Sequence, residues 1–293
     1  MPTLTPLISV NGVLDATLSP LDRGLAYGDG LFETCRLSEG KIPLWRFHVA
    51  RLMRGCDHLK IPVNRDLLEA YRDGLMGEAK ARGIADGVLK VIVTRGGGGR
   101  GYCPPQKPHP SLCLFIFPSN EVDITVPVTG AAVRVCAQKL SANESLAGLK
   151  HLNRLDYVLA RAEWGDDYQE GLLLDENDHV IEATAHNVFL FHEGKLLTPD
   201  LSKHGVAGIM RQIIIEHLAP ALGLPVVIAQ ISLADVCDST ELLLCNSVKG
   251  ISSVARIESH ISKNYSSETH TRALQQQLKK FIQSESDQTE AEA

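Results

Sequence analysis

The sequence predicts a two-domain α/β (α+β) protein, and three observations carry that prediction. Strand-like and helix-like segments alternate in both halves of the chain. Pro118-Ser119-Asn120-Glu121 interrupts the pattern and sets a boundary that extends to about Val126. The 293 residues, 44% of them hydrophobic, exceed a typical single domain and suffice to bury a substantial core. The expected division is a smaller N-terminal α/β domain over 1–120, a linker over 121–126, a larger C-terminal domain over 127–282 and a disordered acidic tail over 283–293.

The elements follow in order. Leu7–Val10 and Val13–Leu14 flank Asn11-Gly12, a dipeptide that accepts the positive φ values of a tight hairpin. Leu31–Leu37 and Ile42–Leu44 flank Ser38-Glu39-Gly40-Lys41 and read as a second hairpin. Phe47–Leu59 and Asp66–Ala81 carry apolar residues at helical spacing, and Val88–Thr94 and Ser111–Phe117 read as buried strands. In the second half a strand is expected near Ala131–Ala137 and a helix around His151–Trp164. Gly171–Leu174, Val180–Ala183 and Asn187–Phe191 form a strand series with polar turns at Glu176–Asp178 and Glu193-Gly194. A helix over Ala207–Leu218 should stop at Pro220, with Gly223 and Pro225 beyond it. Val226–Ala229 and Leu242–Cys245 read as short strands, and the last helix as Thr269 to Ile282. Gln283–Ala293 lacks apolar anchors, so the tail is expected to be unfolded.

Composition removes several function classes. The formal net charge is -6, so no basic surplus is available to neutralise a phosphate backbone. No apolar run reaches the length of a bilayer span, and the start has no basic region followed by an apolar stretch. Seven cysteines, at 35, 56, 103, 113, 136, 237 and 245, include no Cys-x-x-Cys pair, which disfavours a disulfide framework and a thiolate zinc site. Reduced thiols in a cytoplasmic protein are the expectation. No His-Glu-x-x-His is present.

Thr94-Arg95-Gly96-Gly97-Gly98-Gly99-Arg100-Gly101-Tyr102 follows a strand and contains a formal G-x-G-x-x-G. A dinucleotide site needs a helix directly after it, to meet the pyrophosphate with its N-terminus. Cys103-Pro104-Pro105 follows instead, then Pro108 and Pro110, and prolines so placed exclude a regular helix. What remains is a flexible backbone bearing Arg95, Arg100 and Tyr102. It is either a loop that captures an anionic substrate through an arginine fork or a surface loop with solvated arginines.

The segment Leu146-Ala147-Gly148-Leu149-Lys150-His151-Leu152-Asn153-Arg154-Leu155 closely resembles the pyridoxal-lysine segment of the aminodeoxychorismate lyases. That family lies among the fold-type IV pyridoxal-phosphate enzymes, of class IV aminotransferase type and D-amino-acid-aminotransferase-like fold. Asp22-Arg23-Gly24, Tyr27 to Thr34, His48-x-x-Arg51-Leu52, Arg95 to Tyr102, Val180 to Ala183 with Asn187, Gly205 to Arg211 and Cys245-Asn246-Ser247 agree with it, in order. The resemblance spans about residues 7–257. Glu33 and Cys103 depart from the family pattern, and neither is expected to make a key contact.

The resemblance implies pyridoxal 5'-phosphate, a homodimer and a place in folate biosynthesis. It implies that Lys150 binds the cofactor aldehyde and acts as proton carrier, and that Glu182 faces the pyridine nitrogen. Arg51, the backbone N–H groups of Ile209 and Met210, and Ser247 would hold the phosphate, with Asn187 also among the cofactor-binding residues. Arg100 and Tyr102 would bind a substrate carboxylate, with Phe32 beside them. Thr34 would line the lyase site, bonded to the leaving enolpyruvyl group or to the lysine. On residue pattern alone Lys150 is one of thirteen lysines, Glu182 an edge-strand glutamate and Thr34 a β-branched strand residue. Arg51 likewise shares its helix with Arg46 and Arg54. The implied reaction turns 4-amino-4-deoxychorismate into 4-aminobenzoate and pyruvate. The alternative is a D-amino-acid or branched-chain aminotransferase of the same fold, although D-amino-acid transaminases usually place a tyrosine where Phe32 stands.

Overall fold

The structure is a computed structural model that describes residues 5–119 and 128–291, without the side chains of 128, 129 and 286–291. The expected linker at 121–126 lies outside the described residues. Contacts divide the chain into two compact units, Met1–Val122 with Lys150–Asn153, and Asp123–Leu149 with Arg154–Ala293. The tetrapeptide that begins with Lys150 thus leaves the second stretch of sequence to join the first unit.

The first unit contains β1 (Leu7–Val10), β2 (Val13–Leu14), α1 (Arg23–Tyr27), β3 (Gly30–Leu37), α2 (Trp45–Leu59), α3 (Arg65–Ala81), β4 (Gly87–Thr94) and β5 (Ser111–Pro118). Its strands form an antiparallel sheet in the order β2-β1-β5-β4-β3. Asn11 and Gly12 take φ values of 51° and 81°, which the two-residue hairpin requires. Strand alternation buries Leu31, Cys35 and Leu37, then Leu89, Val91 and Val93, then Leu112, Leu114 and Ile116 on one face. α2 packs on β3 there, and α3 on β5. Phe32, Thr34, Lys90 and Ile92 fall on the opposite face and are half-buried.

Two expectations fail in this unit. Ile42–Leu44 is not a strand. Ser38 and Lys41 close a tight turn, Leu44 takes a φ of 65°, and the chain enters α2 at Trp45. Pro43 lacks the N–H that a paired strand needs, which favours the turn. The helix expected from His151 starts only at Leu155, because Lys150–Leu152 is extended along the free edge of β3. Phe32 N–H donates to the Lys150 carbonyl at 2.9 Å, and Leu152 N–H to the Gly30 carbonyl at 3.0 Å. Tertiary pairing of an open strand edge overrides the local helical pattern.

The second unit contains β6 (Val128–Lys139), α4 (Leu155–Arg161), β7 (Glu170–Leu174), β8 (Val180–Ala183), β9 (Asn187–His192), β10 (Lys195–Pro199) and α5 (Ile209–Ile213). A π-helical turn over Ile214–Leu218 leads into α6 (Ala219–Ala221). β11 (Val226–Ala229), α7 (Leu233–Asp238), β12 (Glu241–Asn246), β13 (Gly250–Glu258), β14 (Lys263–Asn264) and α8 (Thr269–Ala291) complete it. A mixed sheet runs β11-β10-β9-β12-β13-β6-β7-β8, with β14 on β13. Val133, Val135, Leu172, Leu174, Val188, Leu190, Leu242 and Leu244 form the core of one face, and Trp164, Leu173 and Ile181 belong to a second cluster.

Pro220 does not end its helix. The π turn shifts the hydrogen-bond register, so Pro220 falls near the start of a fresh turn where no N–H is required. The final helix also does not stop at Ile282 but runs on through Ala291, since no glycine or proline breaks Gln283–Ala291. An unfolded tail from Gln283 is therefore corrected for the described residues. No described helix is long and apolar enough to cross a membrane.

Candidate active site

In the first unit Lys150 is fixed by its backbone pairing with β3, and its Nζ lies 4.4 Å from the centroid of the Phe32 ring. A second amine shares that ring. Lys90 Nζ is 5.5 Å from it, and Lys90 is directly opposite Thr34 in the β3–β4 register. Among the described residues Lys90 meets the Phe32 ring and no hydrogen-bond acceptor. Sequence reasoning missed Lys90, although one lysine inside the apolar run Val88–Thr94 is a signal that could have found it.

Glu33 points the other way, into the layer between β3 and α2, and is 1% exposed. It accepts hydrogen bonds from Arg51 Nε at 2.8 Å and Arg51 Nη2 at 2.5 Å, and pairs with His48 Nδ1 at 2.7 Å. Burial alone would raise the Glu33 carboxyl, but the Arg51 guanidinium and the His48 hydrogen bond outweigh it and hold it down at about 2. Burial lowers the His48 imidazole below its ordinary value, against the pull of Glu33. His48 is therefore neutral, with Nδ1–H toward Glu33. Its Nε2 is enclosed without a hydrogen-bond partner. The sequence treats Glu33 as incidental. The structure makes it the residue that orients Arg51, and helical spacing places His48 and Arg51 on one face of α2 to meet it.

The glycine loop is pinned by α1. Arg23 donates to Asp29 at 2.8 Å, to the Gly101 carbonyl at 2.9 Å and to the Tyr102 carbonyl at 3.3 Å. Arg95 also donates to Asp29, at 2.8 Å, and to the Leu59 and Lys60 carbonyls at the end of α2. Arg95 is thus a structural cation, and of the two loop arginines Arg100 alone remains for a ligand. It makes no side-chain hydrogen bond or ion pair among the described residues. Tyr102 is 87% exposed and meets Tyr27 edge-on at 5.5 Å.

In the second unit Glu182 lies near the end of β8 and is 3% exposed. Tyr157 Oη donates to its Oε1 at 2.5 Å, and Asn187 Nδ2 and Val206 N–H donate to its Oε2 at 3.1 and 3.0 Å. Asn187, at the start of β9, also donates to the Val206 carbonyl at 2.9 Å. Glycines make room for this cluster. A Cβ on Gly208 would stand 1.9 Å from Asn187 Oδ1, and one on Gly205 would be 3.2 Å from the Glu182 carboxyl carbon. Gly208 is also the cap of α5, so no side chain satisfies the first N–H groups at Ile209 and Met210. Ser247 is half-buried in the turn between β12 and β13, which Asn246 Oδ1 fastens by accepting from Val248 N–H and Lys249 N–H.

The sequence-predicted residues therefore gather into two sets. Lys150, Phe32, Thr34, Arg51, Arg100 and Tyr102 belong to the first unit, and Glu182, Asn187, Ile209, Met210 and Ser247 to the second. Tyr157 and Arg154 were not singled out beforehand. A buried carboxylate ringed by donors and a helix start with a side-chain-free cap are the parts that hold a pyridinium and a phosphate. The residues present thus fit the expected cofactor.

Comparison with known proteins agrees. The family description amino-transferase class IV matches residues 30–257. An aminodeoxychorismate lyase of Vibrio harveyi is 35% identical over 260 residues, which covers 87% of this chain and 92% of that one. The crystal structure of 4-amino-4-deoxychorismate lyase from Pseudomonas aeruginosa matches with a TM-score of 0.83 at 42% identity, over 94% of this chain and 98% of that one. A branched-chain amino acid aminotransferase from T.th., solved with pyridoxamine 5'-phosphate, shares the fold with a TM-score of 0.78 at 22% identity, over 93% and 92% of the two chains.

The Glu33 cluster makes a testable contribution to acid stability. The folded carboxyl sits at about 2, below its ordinary 4.5, so its contribution is complete above 4.5 and is lost as pH falls through that value toward 2. Between about pH 6 and about pH 3 the wild type should lose about 2 kcal/mol more than Glu33→Gln, measured by denaturant unfolding at each pH. Equal losses in the two proteins would contradict the ionised pairing.

Proposed function

We propose that this chain, which belongs to the class IV amino-transferase family, is a cytoplasmic, homodimeric aminodeoxychorismate lyase. It would convert 4-amino-4-deoxychorismate into 4-aminobenzoate and pyruvate for folate biosynthesis. The observation that carries this reading is the reactive-lysine geometry: Lys150 Nζ stands over a phenylalanine, Phe32. A transaminase tyrosine would bring a carboxylate-binding phenol to that place. The 42% identity to the Pseudomonas aeruginosa lyase supports the same reading.

Pyridoxal phosphate, when bound, supplies an aldehyde for Lys150 and a protonated ring that draws electrons from the reacting carbon. The roles of the chain's residues follow from their chemistry. Lys150 would hold the cofactor aldehyde, and its amine would take the proton from the substrate carbon that bears the amino nitrogen. Glu182 would hold the ring-nitrogen proton. Arg51, oriented by Glu33, the Ile209 and Met210 N–H groups and the Ser247 hydroxyl take the phosphate. Asn187 steadies Glu182 through its amide. Cleavage of the bond between the ring carbon and the enolpyruvyl oxygen would release enolpyruvate, which takes up a proton to become pyruvate. The substrate ring would become aromatic, which drives the step. No amino acceptor is consumed, because the substrate nitrogen leaves in 4-aminobenzoate.

The substrate carries two carboxylates, and two cations are available for them. Arg100, with the Tyr102 hydroxyl, serves one, and Lys90 serves the other beside Phe32 and Thr34. The Thr34 hydroxyl bonds the leaving group or the Lys150 amine. Exposed apolar side chains support the homodimer: Leu155, Val158 and Leu159 share one face of α4, and Leu21, Leu25 and Tyr102 are exposed in the first unit. Seven cysteines without a disulfide are in keeping with a cytoplasmic setting.

Purified enzyme given 4-amino-4-deoxychorismate should form 4-aminobenzoate and pyruvate in equal amounts, and Lys150→Ala should abolish both turnover and the bound-cofactor absorbance. Conversion of the cofactor to its amine form by a D-amino acid or a branched-chain amino acid, without 4-aminobenzoate formation, would instead establish the aminotransferase. Lys90→Met should raise KM by about 10- to 100-fold with the cofactor absorbance intact, the loss expected for one charge-assisted bond. A KM within about twofold of wild type would remove Lys90 from the substrate site.

A further inference from the structure

We propose that Tyr157 is a positioning residue that sets the charge of Glu182, and through it decides where the ring-nitrogen proton rests. The inference rests on the reading above, in which Glu182 faces the pyridine nitrogen.

The contacts around Glu182 are unequal. Oε2 receives the Asn187 amide and the Val206 N–H, both of which belong to the frame of the site, whereas Oε1 receives the Tyr157 phenol. That phenol comes from α4, on the seventh residue after Lys150. Its bond is short, at 2.5 Å, within the range of an O–H donor to a carboxylate oxygen. Burial and then the Glu182 charge push the Tyr157 hydroxyl well above its ordinary range. The phenol therefore keeps its proton and is a permanent donor.

Tyr157 is itself held in place. The Arg154 guanidinium lies 4.8 Å from its ring centroid, and Arg154 Nη2 donates to the Leu149 carbonyl at 2.7 Å. Leu149 is the residue before Lys150. A continuous path thus runs from the Leu149 peptide through the Arg154–Tyr157 stack to Glu182. Arg211 of α5, which donates to Thr198 Oγ1 and the Pro199 carbonyl, also acts on Glu182 through its charge. Tyr157 from α4, Asn187 from β9, Val206 from the loop before α5 and Arg211 from α5 all act on this carboxylate, and the guanidinium of Arg154, the residue before α4, faces the Tyr157 hydroxyl.

The consequence is one of proton affinity. A proton shared by a carboxylate and a pyridine nitrogen lies on the nitrogen when the carboxylate is well supplied with donors. Removing the phenol oxygen takes away one donor and leaves the Asn187 amide and the Val206 N–H in place. The carboxylate becomes more basic, the proton moves toward it, and the ring withdraws electrons less strongly.

Tyr157→Phe keeps the ring beside the Arg154 guanidinium while deleting the hydroxyl and its hydrogen bonds to Glu182 and Arg154, and two spectroscopic readouts test it. In the cofactor-free full chain labelled with carboxyl-¹³C glutamate, the signal absent from Glu182→Gln identifies Glu182. Its titration midpoint should move up by about one unit in Tyr157→Phe, the effect of one lost hydrogen bond to a charged group. In holoenzyme loaded with pyridoxal phosphate carrying ¹⁵N in the ring, the nitrogen signal should move toward the unprotonated position. Turnover should fall about tenfold with KM unchanged. An unmoved Glu182 midpoint overturns the role of Tyr157 and leaves the placement of Glu182 standing. A midpoint that moves with no change at the ring nitrogen overturns that placement, and this proposal with it.

Discussion

The pairing of Lys150–Leu152 with the open edge of β3 is the constraint on which the site depends. A strand edge presents unpaired N–H and C=O groups, and these must be covered or solvated. Here the chain itself covers them, with two main-chain hydrogen bonds that hold Lys150 beside Phe32. A lysine in the helix that local periodicity suggests would have its amine on a rotating, solvated stem. Held on a strand edge, its backbone is as rigid as the sheet. The same register lines up Thr34 and Lys90 on the half-buried face.

Each unit buries a glutamate, and the two are satisfied in different ways. Glu33 faces a guanidinium fork and an imidazole inside the layer between β3 and α2, and so is locked as an anion. Its effect is to fix the plane of Arg51, since a buried cation without that partner would incur a desolvation cost of several kcal/mol. Glu182 is surrounded by a phenol, an amide and a peptide N–H. These hydrogen-bond donors are neutral and stabilise the charge without forming an ion pair with it, while the Arg211 charge acts on it as well. That difference suits Glu33 to a structural task and is in keeping with the role proposed for Glu182.

Glycine supplies the geometry that the polar groups need. At Gly208 any side chain would collide with the Asn187 amide, which braces Glu182 and the Val206 carbonyl together. The same residue leaves the start of α5 uncapped. One small residue therefore serves both the carboxylate and the helix N–H groups, which explains why the run from Gly205 to Met210 can carry two tasks in six residues.

Much of this protein was legible in its sequence. Apolar runs mark β4 and β5, the polar turn Ser38-Glu39-Gly40-Lys41 marks the end of β3, helical spacing marks α2 and α3, and the Asn11-Gly12 hairpin follows from dipeptide chemistry alone. The prolines after Gly101 sufficed to reject a nucleotide loop. Lys150, Arg51 and Glu182 were selected through ordered motifs, not through local physics, because a lysine on a strand edge and one on a helix look alike in one dimension. Tertiary structure decided the rest. It turned Lys150–Leu152 into an edge strand, tied Arg95 to Asp29, made Glu33 the partner of Arg51, and brought Tyr157 to Glu182 across 25 residues of sequence. The reason is common to all four. Sequence pattern reports which face of an element a residue occupies, whereas a hydrogen bond between elements depends on which strand edge is open and which helix packs above it.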